Sequence, residues 1–226
     1  MKEIFNSYGI KIDSEKIAKF EKYKDLLIYY NSQFNLTAIT DEREIVIKHF
    51  VDSLLICENI KCGNVIDVGS GGGFPAIPLK IVNDELNYTL LEATGKKCEF
   101  LKTVIKELDL KNAVVINGRA EDFAKNSTYR ESFDFCTARA VARLNTLCEY
   151  CLPFVKKGGK FFAYKGLAEE ELKEAQNAIK ILGGKLEKVY NFTLEDAQRN
   201  VICIAKKELT PPKYPRGNGK ERKNPL

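Results

Sequence analysis

Residues 67–80 read DVGSGGGFPAIPLK, with the apolar NVI just before them. Asp67, Gly69, Gly71 and Gly73 occupy alternate positions, so the backbone is stripped of side chains where a short β-run gives way to a helical pattern. At the carboxyl edge of a strand such a turn lets a ligand come close to the chain, and the helix start beyond it offers free N–H groups. A nucleotide-like ligand is expected, the competing reading being a glycine-rich turn that binds nothing. The dinucleotide fingerprint G-x-G-x-x-G fails when started at Gly69, because position 74 is Phe74. Started at Gly71 it makes Ala76 its third member and leaves Gly69 unexplained. The pattern D-x-G-x-G-x-G fits in full.

Working outward, β-like runs alternate with helical ones: NVIDVG, YTLLE, AVVIN, FDFCT and KFFAY are separated by segments such as KKCEFLKTVIKEL and EEELKEAQNAIKIL. Strands spaced by helices of ten-odd residues predict an α/β fold with a doubly wound, mostly parallel sheet and right-handed crossovers. LEKVYNFT and NVICIAKK have no long helix between them and predict an antiparallel finish, which makes seven strands. Residues 1–60 show no strand pair. Helices are expected there over about 14–31, from the spacing of Ile17, Phe20, Leu27 and Tyr30, and over about 41–58, with Asp41 and Glu44 as a capping box. The organisation expected is a helical extension over 1–60, a ligand-binding domain over 61–210, and an extended polar arm over 211–226.

Composition limits the classes further. At 226 residues, 44% hydrophobic and 30% charged, the chain suits one well-buried domain and neither a disordered nor a membrane protein. The start MKEIFNSYGIKID has no continuous apolar run, so a cytosolic protein is expected. Seven cysteines are then expected to be reduced thiols. Cys148 and Cys151 form a C-x-x-C, but with His49 the only histidine and no second such pair, core filling is the better reading than zinc, and no metal is expected.

Two later features bear on the ligand. An adenosine-bearing molecule needs an acidic side chain at the end of the second strand for its ribose hydroxyls, and YTLLE supplies Glu92. After the third strand, NGRAED places Ala120 and Glu121 where an amide and a carboxylate would meet adenine. Alone, Glu121 reads equally as an acid at a helix start.

The D-x-G-x-G-x-G pattern resembles motif I of the Rossmann-like class I methyltransferases that bind S-adenosylmethionine (SAM). NLTAIT (35–40), KHFVDSL (48–54), DVGSGGGFPAIPLK, LLEATGKK (90–97), NGRAED (117–122), TARAVARL (137–144), YKG (164–166) and the ending YPRGNGKERKNPL together resemble the bacterial RsmG family, also called GidB. That resemblance implies SAM-dependent methylation of N7 of one guanine in the decoding-region loop of 16S rRNA. It implies cofactor contacts from Asp67, Gly69, Gly71, Gly73, Phe74, Glu92, Ala93, Thr94, Ala120, Glu121 and Arg139. It also places Asn35, His49 and Asp52 on the substrate face. Ala76 stands where the family often has Gly, and Glu221 where its tail often has Pro.

The proposed chemistry agrees with what the chain lacks. Guanine N7 has an in-plane lone pair and no proton, so no general base is required. No Pro-Cys is present for attack on a pyrimidine, and TARAVA stands where amine methylases often carry [DNS]-P-P-[YF]. Arg139 is expected at the active-site mouth, since a cation at a helix start is unfavourable unless a ligand uses it. His49 reads either as a packing residue or as part of the substrate face. Lys165, at the end of the fifth strand, reads as a phosphate contact or a plain surface lysine.

The arm holds Lys213, Arg216, Lys220, Arg222 and Lys223 against Glu221. It is expected to meet RNA phosphates, with Arg216 and Lys223 as contacts, and to leave the cofactor site alone. The alternative is a strap packed on the sheet through Tyr214 and Leu226. The partner expected is 16S rRNA, the small ribosomal subunit or its assembly intermediate, bound by a monomer. Other readings are a SAM-dependent methyltransferase of a small molecule or protein, and a SAM-sensing RNA-binding module without turnover.

Overall fold

The computed structural model describes residues 1–226. The seven expected β-runs are β1 (Gly63–Val68), β2 (Leu86–Glu92), β3 (Ala113–Asn117), β4 (Phe133–Arg139), β5 (Val155–Lys165), β6 (Gly184–Leu194) and β7 (Ala197–Lys206). They form one sheet of order β3-β2-β1-β4-β5-β7-β6. Every pairing is parallel except those of β7 with β5 and β6. β1 lies between β2 and β4 and is buried from Val65 to Val68, which is why Val65, Ile66 and Val68 are apolar whichever face they point to, with the buried Asp67 the exception. From β1 the chain winds outward to β2 and β3, then returns to the other side for β4. That reversal opens a crevice at the carboxyl ends of β1 and β4. The glycine turn and Arg139 meet there.

Helices cover both faces. Ala76–Val82 and Gly95–Glu107 lie on one face together with the N-terminal extension, while Leu144–Cys151 and Glu169–Ile181 lie on the other. The helix Ser14–Asn31 is capped by Asp13, whose carboxylate accepts from the Lys16 N–H at 2.8 Å, and it buries Ile17, Phe20, Tyr23 and Leu27. Phe5, Phe20, Phe50, Tyr23 and Phe74 form a continuous aromatic series with ring centroids 5.0–5.6 Å apart. Each such ring contributes about 2–3 kcal/mol by burial. The series runs from the first helix to the residue that ends the glycine turn, so the extension braces the ligand-binding loop.

Residues 42–54 form one helical stretch, but its middle, Val46–Val51, is a π-helix. Asp41 accepts from the Glu44 N–H at 2.9 Å, while the Glu44 carboxylate turns to Lys48 at 2.6 Å, so only half of the expected capping box forms. The stretch stops at Leu54, short of the expected 58, and a 3-10 turn follows at Cys57–Asn59.

The expectation of an extended arm over 211–226 is corrected by the structure. Arg130 spreads its guanidinium over the carbonyls of Ala124, Thr210, Pro211 and Tyr214 at 2.7–3.3 Å. The fully buried Glu149 accepts from the Arg216 backbone N–H at 2.8 Å, from Nε at 2.9 Å and from the terminal amine at 2.7 Å. Thr146 donates to the Glu221 carbonyl at 2.9 Å, and the Gly217 N–H donates to the Glu221 carboxylate. Tyr214 is buried, and Leu226 packs on the same apolar cluster. The segment is a strap tied to the helix Leu144–Cys151. Its polar composition concealed this: Arg216 pairs with the buried Glu149 and Glu221 folds back on Gly217, while Lys213, Lys220, Arg222 and Lys223 stay exposed.

Candidate active site

The glycine turn is held from below by β2. Leu91 accepts from the Gly69 and Ser70 N–H groups at 2.8 and 3.2 Å. The Glu92 carboxylate accepts from Gly71 N–H at 2.9 Å through one oxygen and from Thr94 N–H at 2.8 Å through the other. Each oxygen keeps a second lone pair, so the carboxylate is oriented by the backbone yet still able to accept from a ligand's hydroxyls. Gly71 has φ +55°, and a Cβ there would have nothing closer than the Gly69 carbonyl at 3.8 Å. That open space is what a ligand would use. Gly73 is needed for a different reason: with φ +95°, its Cβ would stand 2.6 Å from the Tyr23 hydroxyl and 2.7 Å from Ile77. Tyr23 donates to the Gly72 carbonyl, locking the turn to the extension.

Asp67 lies beneath the turn rather than facing a ligand. It is fully buried, with one oxygen accepting from Thr137 at 2.7 Å and the other without a partner. Burial pushes its carboxyl up to about 7, against the opposing hydrogen bond from Thr137.

A cavity of about 180 Å³ opens beside the turn. Of the expected contacts, Gly69, Ala93, Ala120 and Glu121 line it, together with Val141 above Gly69. Tyr150, Gly219 and Arg222 complete the wall from elements that sequence reasoning did not connect with the ligand. A larger cavity of about 840 Å³ lies elsewhere, between the first residues and β6, around Ile12, Leu54 and Phe192. It is mostly apolar and far from the glycine turn, so its size is no guide to the chemistry.

The second half of the site is a clamp at the end of β4. Arg139 donates to the Asp52 carboxylate at 2.7 Å, to the Lys48 carbonyl at 3.1 Å and to His49 Nδ1 at 3.0 Å. Its guanidinium sits 4.8 Å from the Phe74 ring centroid, and the His49 ring stacks on the same phenyl at 4.4 Å. Phe74 therefore supports the clamp and does not line the cavity beside the turn. The π-helix and the residue that follows it present the Lys48 carbonyl, His49 and Asp52 together toward Arg139, a common use of a π-bulge at a functional site. Burial and the Arg139 charge draw His49 down to about 3, so it is neutral at ordinary pH. With Nδ1 accepting from Arg139, the proton resides on Nε2 and is donated to the Thr37 hydroxyl at 2.7 Å. Asp52 receives a second cation, Arg199, at 3.3 Å.

The remaining expected residues divide. Asn35 is exposed on the loop after the helix Ser14–Asn31, beside Thr37. Lys165 is spent within the fold, on Glu171 at 2.7 Å and the Ala142 carbonyl, which excludes the reading of a free surface cation. Arg216 is likewise consumed by Glu149, and of the two expected tail contacts only Lys223 is exposed. Thr37 and Arg199 were missed; NLTAIT contained the first, whereas nothing in DAQRN marked the second. No group of three or more His, Cys, Asp or Glu is gathered as for a metal ion, and no helix is long and apolar enough to cross a membrane.

A carboxylate with spare lone pairs at the end of β2, an open glycine backbone at the end of β1 and a cavity edged by Glu121 after β3 fit the ribose, amino-acid portion and adenine of SAM. Solved structures share the architecture. An O-methyltransferase from Bacillus cereus, titled as a complex with SAH, aligns over 91% of this chain and 96% of its own with TM-score 0.62 at 16% identity. A SAM-dependent methyltransferase from Aquifex aeolicus aligns over 71% and 92% with TM-score 0.55 at 16% identity. Fold and cradle together define a class I SAM-dependent methyltransferase.

The profile of the family GidB, rRNA small subunit methyltransferase G, matches residues 16–202. A ribosomal RNA small subunit methyltransferase G from Acetivibrio thermocellus is 50% identical over 98% of this chain and 93% of that protein, and one from Leuconostoc citreum is 46% identical over 98% and 95%. The chain belongs to the GidB family.

Proposed function

We propose that this protein transfers the methyl group of SAM to N7 of a guanine in 16S rRNA. Bound SAM supplies an electrophilic methyl on a sulfonium. Glu92 accepts from the ribose hydroxyls, the Gly71 backbone admits the ligand, and Glu121 accepts from the adenine amino group. The observation that carries the choice of target atom is that the mouth of the site holds no free proton acceptor. His49 uses both ring nitrogens, on Arg139 and Thr37, and Asp52 is paired with Arg139 and Arg199. A nucleophile that must lose a proton would find no base there, whereas guanine N7 attacks with a lone pair it already has. Catalysis is then a matter of holding base and methyl group in line. Arg139 keeps its Nε–H and one terminal N–H outside its three internal bonds, and these can donate to a guanine edge or a phosphate.

The RNA is read through its shape and an unpaired base rather than by a dedicated RNA-binding module. Asn35 on the exposed loop and Lys223 on the strap are the contacts retained from the sequence, and Lys165 and Arg216 are withdrawn. The deciding experiment incubates labelled SAM with 16S rRNA, small subunits, protein and metabolite fractions, then maps N7-methylguanine in the RNA with and without the enzyme. Label in protein or metabolites, or at an exocyclic amine, would refute the proposal.

A further inference from the structure

We propose that residues 217–223 of the C-terminal strap are a wall of the cofactor pocket, with Arg222 a binding residue for the adenine end; this rests on the methyltransferase reading above. Gly219 and Arg222 line the same cavity as Gly69, Ala120 and Glu121, although they are about a hundred residues away in sequence from the nearest of these. The strap is fixed there by contacts that do not involve any ligand: Glu149 with Arg216, Thr146 with the Glu221 carbonyl, and Gly217 with the Glu221 carboxylate. Glu149 and Thr146 both come from the helix Leu144–Cys151, which also supplies Tyr150 to the cavity. A strap serving stability alone could end at the Glu149–Arg216 pair. This one continues through a left-handed Gly219 into a short helical turn that brings Arg222 to the cavity edge.

The chemistry of the two edges is complementary. Glu121 offers acceptors and Arg222 offers donors and a flat cationic surface, while adenine carries an amino donor, ring-nitrogen acceptors and a π-face. Arg222 has no ion-pair partner, unlike Arg119, which is 3.9 Å from Glu121, and unlike Arg216. Tyr150 lines the same wall as Arg222, so a ring entering between Glu121 and Arg222 would be covered on the strap side. A wall that touches the ligand must also be stabilised by it, because binding energy gained only in the docked state favours that state.

Calorimetric titration of the RNA-free enzyme with SAH tests this. Arg222→Ala is expected to weaken SAH binding about tenfold, the size of one lost charged hydrogen bond. The exposed neighbour Lys220→Ala should leave it within twofold of wild type. Hydrogen exchange of residues 217–223 in wild type should slow on adding SAH. Folded Arg222→Ala with wild-type SAH affinity, or with a defect in RNA binding alone, overturns the proposal, as does exchange at 217–223 that ignores saturating SAH. The wild-type titration reports on the enzyme reading separately: wild type that binds no SAH overturns both, whereas normal wild-type binding with an unaffected variant overturns only the wall.

Discussion

Arg139 and Asp52 meet at 2.7 Å although one ends a central strand and the other belongs to the helical extension. Both are largely withdrawn from solvent, so the pair joins the catalytic edge of the sheet to the segment that braces the glycine turn. Removing one partner of a buried pair leaves the other charge without compensation, at about 3–5 kcal/mol. Asp52→Ala is therefore expected to lose about that much stability in denaturant unfolding, since it strands Arg199 as well as Arg139. Arg139→Ala combined with it should cost clearly less than the sum of the two single changes. Strict additivity would mean that the two side chains do not depend on each other.

Two glycines of the turn are expected to fail differently. Gly71→Val places a branched side chain in open space at positive φ, so SAH binding should vanish while the fold survives with a lowered Tm. Gly73→Ala drives a methyl group into Tyr23 and Ile77 and should cost about 1–3 kcal/mol by overpacking and strain before any question of ligand arises. Melting curves and SAH titrations on both variants separate the roles. Equal stability loss with equal affinity loss would show that the turn acts as one undivided element.

Asp67 gives stability a pH dependence of unusual sign for a carboxylate. In the unfolded chain it releases its proton near its ordinary value of 3.8, whereas in the fold it does so only at about 7. Between those values the folded state binds more protons, so this group's contribution to stability falls as pH rises through the window and levels off above about 7. Asp67→Asn lacks the effect. The variant's stability relative to wild type should climb between pH 4 and 7, by up to about 1.4 kcal/mol per unit. Urea unfolding of both proteins at pH 5 and 8 checks it; a constant difference would place the titration elsewhere.

Methyl transfer itself should be insensitive to pH. His49 stays neutral far above its value of about 3, and no other group at the mouth is free to act as a base. Single-turnover rates at saturating substrate are expected to be flat from about pH 6 to 9. A tenfold rise per pH unit through neutrality would require a deprotonated nucleophile and a different target atom.

The sheet was legible because buried parallel strands leave short apolar runs and because a strand followed by spaced glycines has few other uses. Glu92 and Glu121 followed from their distance to that turn. The Arg139 clamp was legible only as separate residues: the π-helix that aims His49 and Asp52 the same way has no pattern of its own in IVIKHFVDSL, and it coexists with a side-chain donor that reaches the Lys48 carbonyl. The strap was misread for a related reason. LNTLCEYC reads as a helix with one apolar face, yet all eight of its residues are buried, Glu149 among them. A charge inside such a helix has to be neutralised, and its counter-charge lay in a segment whose composition suggested solvent. Composition counts Arg216 with the other cations of the tail, whereas the fold sets it alone against Glu149.

Glu149 and Arg216 are 67 residues apart, and that distance has a temporal meaning during synthesis. A nascent chain that has completed β1 to β5 already contains the carboxylate but not the guanidinium that neutralises it, so the unfinished sheet carries an uncompensated charge on what will become an interior helix. The glycine turn and Glu92 exist early; the outer side of Leu144–Cys151 is sealed only when the strap folds back. Translation thus leaves this side of the protein open until Arg216 is made, and a chain stalled before it would hold the Glu149 carboxylate without its counter-charge.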